Sequence, residues 1–529
     1  MTYTDTSFLF LLLPVCIILY NVMPKKIRGY VLLLISYIFF YLVSRKLIIY
    51  IIFSTGVIWL YSLIIKHIHK KRDAKLKDCK KEEKKAIKEK YKKTQRIFLI
   101  LSIIINVGLL VMLKYSGFIG NNINSLLELL KSSQRVRVMT FALPIGISFY
   151  TMQIVSYVTD VHKDVIEPDT NIGRLALYLS FFPQIMEGPI CRYSDVVEKL
   201  WEGKRTTYEG LTFGIQRLIF GLGKKIIIAD RLNVLVNEIF NNYSNFDGGI
   251  ICIGMILYTL QLYTDFSGVM DMVIGIGEMF NVKIPENFRQ PFFSKSISDF
   301  WTRWHITLGT WMKDYIYYPV SMSKVSKKLT TKLRKKIGNY YGPLITSTFA
   351  LFLVWLLNGI WHGSAWSFIF YGMYHFTLIM LGRITDPLSK KIQAKLHIDV
   401  KKAWYKAFQI VRTIILVFIG ELFFRANGLK AGFEMFKTML SKFSFKMLTD
   451  GTLLNNGMDA KDWIVVVIFT IVLLVISILK EKGIDIRKEI AKKHIVLRWT
   501  IYFVLILSVI LFGAYGVGYI PVDPMYANY

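Results

Sequence analysis

The sequence predicts an all-α polytopic membrane protein, and three observations carry that reading. Residues of the set AVILMFWYC make up 53% of the 529 positions, and mean hydropathy is +0.42. Long charge-free runs recur along the chain. Lys and Arg total 67 against 36 Asp and Glu, a formal net charge of +31, and the positives gather between those runs. A soluble domain holds about 45–50% apolar residues even with glycine counted, so an ordinary soluble enzyme and a disordered chain are both excluded. The charge pattern is that of basic membrane loops and shows no basic face on a soluble domain, so nucleic acid is not an expected partner. Cys16, Cys79, Cys191 and Cys252 show no CxxC spacing, which indicates neither a disulfide framework nor a zinc site.

A crossing helix needs about 20 residues. The runs that qualify or nearly do are Ser7–Met23, Tyr30–Ser44, Leu47–Ile65, Ile97–Leu113, Gly248–Thr264, Gly338–Trp361, Gly363–Gly382, Trp463–Leu479 and Trp499–Val522. The first is read as a retained span, because Met1–Thr6 carries no positive charge and no cleavage site follows Met23. Between about Phe141 and Val320 the runs are shorter. They are broken at Leu143-Pro144-Ile145-Gly146, Phe181-Phe182-Pro183-Gln184 and Gly188-Pro189, as in broken helices packed inside a bundle. The whole chain, 1–529, reads as one integral membrane domain.

Sidedness follows from the basic segments. Lys70–Arg96 holds 14 Lys/Arg against 5 acids, Met322–Tyr340 holds 7 against none, and Lys480–Arg498 holds 7 against 3. With Lys390–Lys406 they are expected as cytoplasmic loops, which puts both termini outside. The stretch Asn358-Gly359-Ile360-Trp361-His362-Gly363-Ser364 then forms a polar turn toward the outer half of the membrane.

Of eight histidines, His67, His69, His397 and His494 fall in or beside basic loops, and His162 at a span end. His375 reads as a packed residue. His362, flanked by glycine and tryptophan, is the leading candidate: a neutral imidazole there takes a proton from a hydroxyl and returns it to a leaving group. The competing reading is an interfacial histidine at a helix end. His305 lies in Ser298-Asp299-Phe300-Trp301-Thr302-Arg303-Trp304-His305, where a helix puts Trp301, Trp304, His305 and Leu308 on one face. Asp299 and Arg303 stand four apart and can pair; an interfacial aromatic belt is the bland alternative. Asp265, Asp271, Glu187 and Glu421 are acids beside apolar runs, suited to a proton path or to holding broken helices together.

Several strings resemble the membrane-bound O-acyltransferase family. They are Ile297-Ser298-Asp299-Phe300-Trp301 with Arg303-Trp304-His305, then Tyr315-Ile316-Tyr317-Tyr318-Pro319, then Asn358-Gly359-Ile360-Trp361-His362-Gly363. Leu143–Tyr150, Phe182-Pro183-Gln184, Gly188-Pro189-Ile190, Asp265-Phe266-Ser267-Gly268 and Pro285-Glu286-Asn287-Phe288 match as well. The resemblance covers roughly residues 5–430 and points to the bacterial alginate O-acetyltransferase-like branch. Residues 431–529 add a pair of spans beyond that core, and Glu187 departs from the family pattern.

The resemblance implies a bundle of about 10–13 transmembrane and re-entrant helices around a central tunnel. It implies a cytoplasmic thioester donor (acetyl-CoA or a carrier-protein thioester), an extracytoplasmic glycan acceptor, and no metal or permanently bound cofactor. His362 aligns with the essential histidine and His305 with the second active-site position. Asn358, Trp304, Trp361, Asp265 and Arg303 are the expected substrate-binding residues. Expected partners are the lipid bilayer, the glycan, an acyl carrier and an extracytoplasmic SGNH-type acyltransferase, in a bacterial cell membrane. The alternatives are D-alanyl transfer to teichoic acid, and a non-enzymatic transporter or scaffold of a polysaccharide export complex.

Overall fold

The computed structural model describes residues 2–515 and 518–522. Within them the chain is helical wherever it is regular, and seven helical stretches are long and apolar enough to cross a membrane. These are Lys25–Lys77 (two helices, Arg28–Ser44 and Ile48–Lys77), Glu83–Leu129, Gly248–Met279, Lys324–His362, Ala403–Arg425, Ala460–Glu481 and Ile495–Phe512. They take in six of the nine predicted runs and the first part of a seventh, Trp499–Val522, whose helix ends at Phe512, while Ala403–Arg425 was not among the predicted runs; the chain is a multi-pass membrane protein. Of the other two, Ser7–Met23 forms the shorter Phe8–Val22 and Gly363–Gly382 begins the helix Trp366–Lys395. Most of the predicted outside C-terminus, Pro521–Tyr529, lies outside the described residues.

The chain divides into two compact units. Among the described residues the first comprises 2–215 and Val273–Pro285, the second Gln216–Met272, 286–515 and 518–522. In the first, Tyr3, Phe8, Phe39 and Phe182 form a buried ring cluster with centroids 5.3–6.4 Å apart. The Tyr3 hydroxyl donates to the Phe182 carbonyl at 2.9 Å. The broken middle segments are short here as expected: Ile172–Ser180 has nine residues, about 14 Å of helix, too little to cross a bilayer.

Three expectations about local structure change. Lys70–Arg96 is mostly helix: Ile48–Lys77 runs into it and Glu83–Leu110 starts within it. Met322–Tyr340 is mostly helix too, and it doubles back. At Gly338 the backbone turns with φ 86° and ψ 173°, a left-handed conformation that glycine adopts without penalty. Thr330 Oγ1 then lies 2.7 Å from Thr346 Oγ1, although sixteen residues of straight helix would hold them about 24 Å apart. Third, His362 is still helical, closing Lys324–His362; the turn to the next helix is made by residues 363–365.

Gly359 and Gly372 explain how the helices ending at His362 and starting at Trp366 lie together. A Cβ on Gly372 would stand 2.3 Å from the Trp355 carbonyl oxygen, and one on Gly359 2.5 Å from the Phe368 carbonyl oxygen. Only glycine permits that approach.

In the second unit a widened π-helical turn, Lys224–Ala229, interrupts the path between Tyr208–Gly223 and Asp230–Asn241. Such a turn loosens the regular ladder, and the Ile226 carbonyl accepts instead from Ala514 N at 2.8 Å. Both lysines of the turn are buried and each meets its own carboxylate on Gly248–Met279. Lys224 Nζ lies 2.5 Å from Asp271, and Lys225 Nζ 2.6 Å from Asp265 and 3.2 Å from Asp230. Buried charges require such partners.

Candidate active site

Of the candidate residues in the second unit, Trp304, His305 and Asn358 line one cavity, Trp361 and His362 stand near it without lining it, and Asp265 and Arg303 are ion-pair partners. The cavity measures about 50 Å³ and is lined by Trp301, Trp304, His305, Leu308, Trp355 and Asn358, among others. That is room for more than one water-sized group. Trp301, Trp304, His305 and Leu308 were expected to share a face of one helix. They do meet, but by another route. The helix Ile297–Arg303 ends before Trp304, which is extended (φ −107°, ψ 130°), and His305 sits left-handed at φ 47°, ψ 52° before Ile306–Met312 starts.

That conformation costs a non-glycine residue roughly 1–3 kcal/mol and persists only where the surroundings impose it. Here they are the residues 287–289. Ile306 N donates to the Asn287 carbonyl at 3.0 Å, and Arg289 N to the Arg303 carbonyl at 2.9 Å. The Asn287 side-chain oxygen takes Thr307 N at 3.0 Å and Thr307 Oγ1 at 2.9 Å, and lies 3.2 Å from His305 Nδ1. His305 is buried, with the Phe266 ring edge-on at 4.9 Å. Trp304 packs against Phe300 at 5.4 Å and Phe288 at 5.0 Å.

His362 reaches the same neighbourhood from the end of Lys324–His362. Trp361 stands between the two imidazoles, edge-on to both, with centroids 5.7 Å from His305 and 5.1 Å from His362. Asn358, one turn earlier on that helix, lines the cavity beside His305. Its Oδ1 and the Trp301 indole nitrogen are buried polar atoms without a hydrogen-bond partner among the described residues. An acceptor and a donor are thus available for a ligand. On its other side His362 meets Phe424 at 5.2 Å and Tyr371 at 6.2 Å, and the Tyr371 hydroxyl donates to Glu421 Oε1 at 2.9 Å.

Two expected substrate-binding residues stand elsewhere. Asp265 is the carboxylate of Lys225, and Arg303 pairs with Asp299 at 3.0 Å and Glu481 at 2.9 Å; neither lines the cavity. The i,i+4 pairing of Asp299 with Arg303 was read from spacing. Lys225, the partner of Asp265, and Glu481, the second partner of Arg303, lie 40 and 178 residues away and leave no local signal. His375 is wholly buried among Trp301, Trp355, Tyr371 and Tyr374, stacked on Trp355 at 5.6 Å. This is the packed position read for it. Sequence reasoning gave no role to Trp355, Tyr371 or Asn287, although Asn287 stands inside a quoted motif.

Residues 1–333 match the model of MBOAT, the membrane-bound O-acyltransferase family. The match takes in His305 and ends before His362. The chain is 30% identical to the probable alginate O-acetylase AlgI of Pseudomonas aeruginosa, over 83% of this chain and 75% of the relative. It is 30% identical to the peptidoglycan O-acetyltransferase of Helicobacter pylori over 65% of each chain. With the teichoic acid D-alanyltransferase of Bacillus subtilis it shares 31% identity, over 47% of this chain and 60% of the relative. A multi-pass helical chain with this family match and these relatives is an O-acyltransferase, and it belongs to the membrane-bound O-acyltransferase family.

Proposed function

We propose that this protein moves an acetyl group from a cytoplasmic thioester donor, acetyl-CoA or a carrier-bound thioester, to hydroxyls of an extracytoplasmic polysaccharide. The observation that carries the reading is that His305 lines a cavity with Asn358 and Trp301, while Trp361 lies edge-on to both His305 and His362 and brings the second imidazole to the same neighbourhood. A sugar hydroxyl is a weak nucleophile, so a base must take its proton as it attacks the thioester carbonyl. His362 is that base. The new C–O bond forms, the C–S bond breaks, and the imidazolium returns its proton to the departing thiolate. His305 and Asn358 position the acceptor, while Asp265 and Arg303 act through the fold as ion-pair partners. Transfer to the serine of an SGNH-type partner protein, for later passage to the glycan, uses the same histidine.

The basic segments support an orientation with both termini outside and His362 toward the outer half of a bacterial cell membrane. The relatives named as O-acetylase and O-acetyltransferase favour acetyl; the D-alanyltransferase relative keeps D-alanyl transfer to teichoic acid as the second reading. Mild alkali releases ester-linked acyl groups from cell-surface glycans. The same ester should be missing from a deletion strain and from a His362→Ala strain with wild-type membrane levels, and acetate or D-alanine identifies the group. Unchanged ester in a deletion strain without a redundant enzyme rejects the reading.

A further inference from the structure

Asn287 has no part in the scheme above, yet its geometry decides how His305 takes part. Its side chain is fully buried. Oδ1 faces Thr307 N at 3.0 Å, Thr307 Oγ1 at 2.9 Å and His305 Nδ1 at 3.2 Å. A backbone N–H can only donate, so the amide atom facing Thr307 N is the oxygen; the reverse orientation would set two donors against each other. The amide nitrogen points the other way, to the Met270 sulfur at 3.2 Å. An oxygen facing His305 Nδ1 requires the hydrogen to sit on Nδ1. A neutral imidazole so bonded carries its lone pair on Nε2. The ring cannot escape by sliding along the chain. Ile306 N on the Asn287 carbonyl and Arg289 N on the Arg303 carbonyl hold His305 at its left-handed φ of 47°.

We infer that Asn287 is a positioning residue that sets the tautomer of His305, so that His305 meets the substrate through Nε2 as a hydrogen-bond acceptor. Neutral His305 then cannot donate to a developing oxyanion from Nε2. It holds a non-reacting donor of the acceptor, such as a sugar hydroxyl next to the one that attacks, and exchanges no proton. The reacting hydroxyl stays with His362. The catalytic consequence rests on the acyl-transfer reading above, whereas the tautomer does not.

The test uses the full chain in lipid nanodiscs with nitrogen-15- and carbon-13-labelled histidine, the His305 signals being those lost in His305→Gln. The wild-type ring should be the Nδ1–H tautomer. Asn287→Ala should move it toward Nε2–H and lower acyl transfer at least about 10²-fold, in line with the large penalty of a wrongly fixed imidazole tautomer. Asn287→Asp, whose oxygen can accept the same bond, should keep Nδ1–H and recover most of the activity. An Nε2–H wild-type ring overturns the inference, and that result needs no variant to fold. So does an Nδ1–H ring unchanged in Asn287→Ala. If the tautomers behave as stated but His362→Ala still transfers acyl groups, the function proposed above fails and the tautomer assignment stands.

Discussion

The Tyr371 hydroxyl donates to Glu421 Oε1 at 2.9 Å, joining the helix that follows His362 to Ala403–Arg425. The pair is buried, and Glu421 Oε2 has no other hydrogen-bond partner among the described residues. Removing the hydroxyl strands a buried acceptor, which costs about 1–3 kcal/mol. Tyr371→Phe should therefore lower the thermal midpoint in detergent while leaving the ring against His362 and most of the activity in place. Glu421→Gln, which retains an acceptor for Tyr371, should be milder than Glu421→Ala in the same melt.

Asp265 separates a structural role from a substrate-binding one. Asp265→Ala removes the nearest described carboxylate from the buried Lys225, and breaking a buried pair costs roughly 3–5 kcal/mol. Membrane levels should fall sharply. The double variant Asp265→Ala with Lys225→Met removes both charges and should recover those levels, with activity per folded molecule within about tenfold of wild type. Loss of activity in a well-folded double variant would return Asp265 to the substrate.

Close packing at Gly372 positions Trp361 and His362. Gly372→Ala places a methyl group 2.3 Å from the Trp355 carbonyl oxygen, so the two helices must part. A displacement of about 1 Å at a catalytic group can cost about 10²-fold in rate. Transfer assays at matched membrane levels should show a loss of that order, larger than for Gly382→Ala, where an added Cβ meets nothing within 4 Å.

Asp164 gives the fold a pH dependence outside the spans. Partial burial works against its ionisation, but Lys92 and Arg72, at 2.7 and 3.2 Å, outweigh it and hold the carboxyl below its ordinary value. A depressed carboxyl contributes stability above its unfolded value, near 4, and that contribution is lost as pH falls through the folded value. Thermal midpoints should decline below about pH 4 in the wild type, and less so in Asp164→Asn.

What could be read from the sequence follows the range of the forces involved. Apolar runs of about 20 residues and basic segments are local, so most of the spans were legible. His305 and His362 were legible as candidates because an imidazole beside tryptophan in an apolar setting is chemically conspicuous. The helix break at Trp304 and His305 was not, because it depends on Asn287, 18 residues earlier. The reversal inside 324–362 had one local sign, Gly338, masked by a basic stretch that reads as loop. The partners of Asp265 and Arg303, Lys225 and Glu481, were not legible because they lie far along the chain.

The central claim is that His362 is the base for acyl transfer. It is tested most directly with purified protein in lipid vesicles, a labelled acetyl thioester and a polysaccharide acceptor, comparing wild type with His362→Ala at equal folded amounts. The account predicts that ester formation falls by about 10²-fold or more, the contribution expected of a general base, with folding unchanged. Ester formation within a few fold of wild type would contradict it.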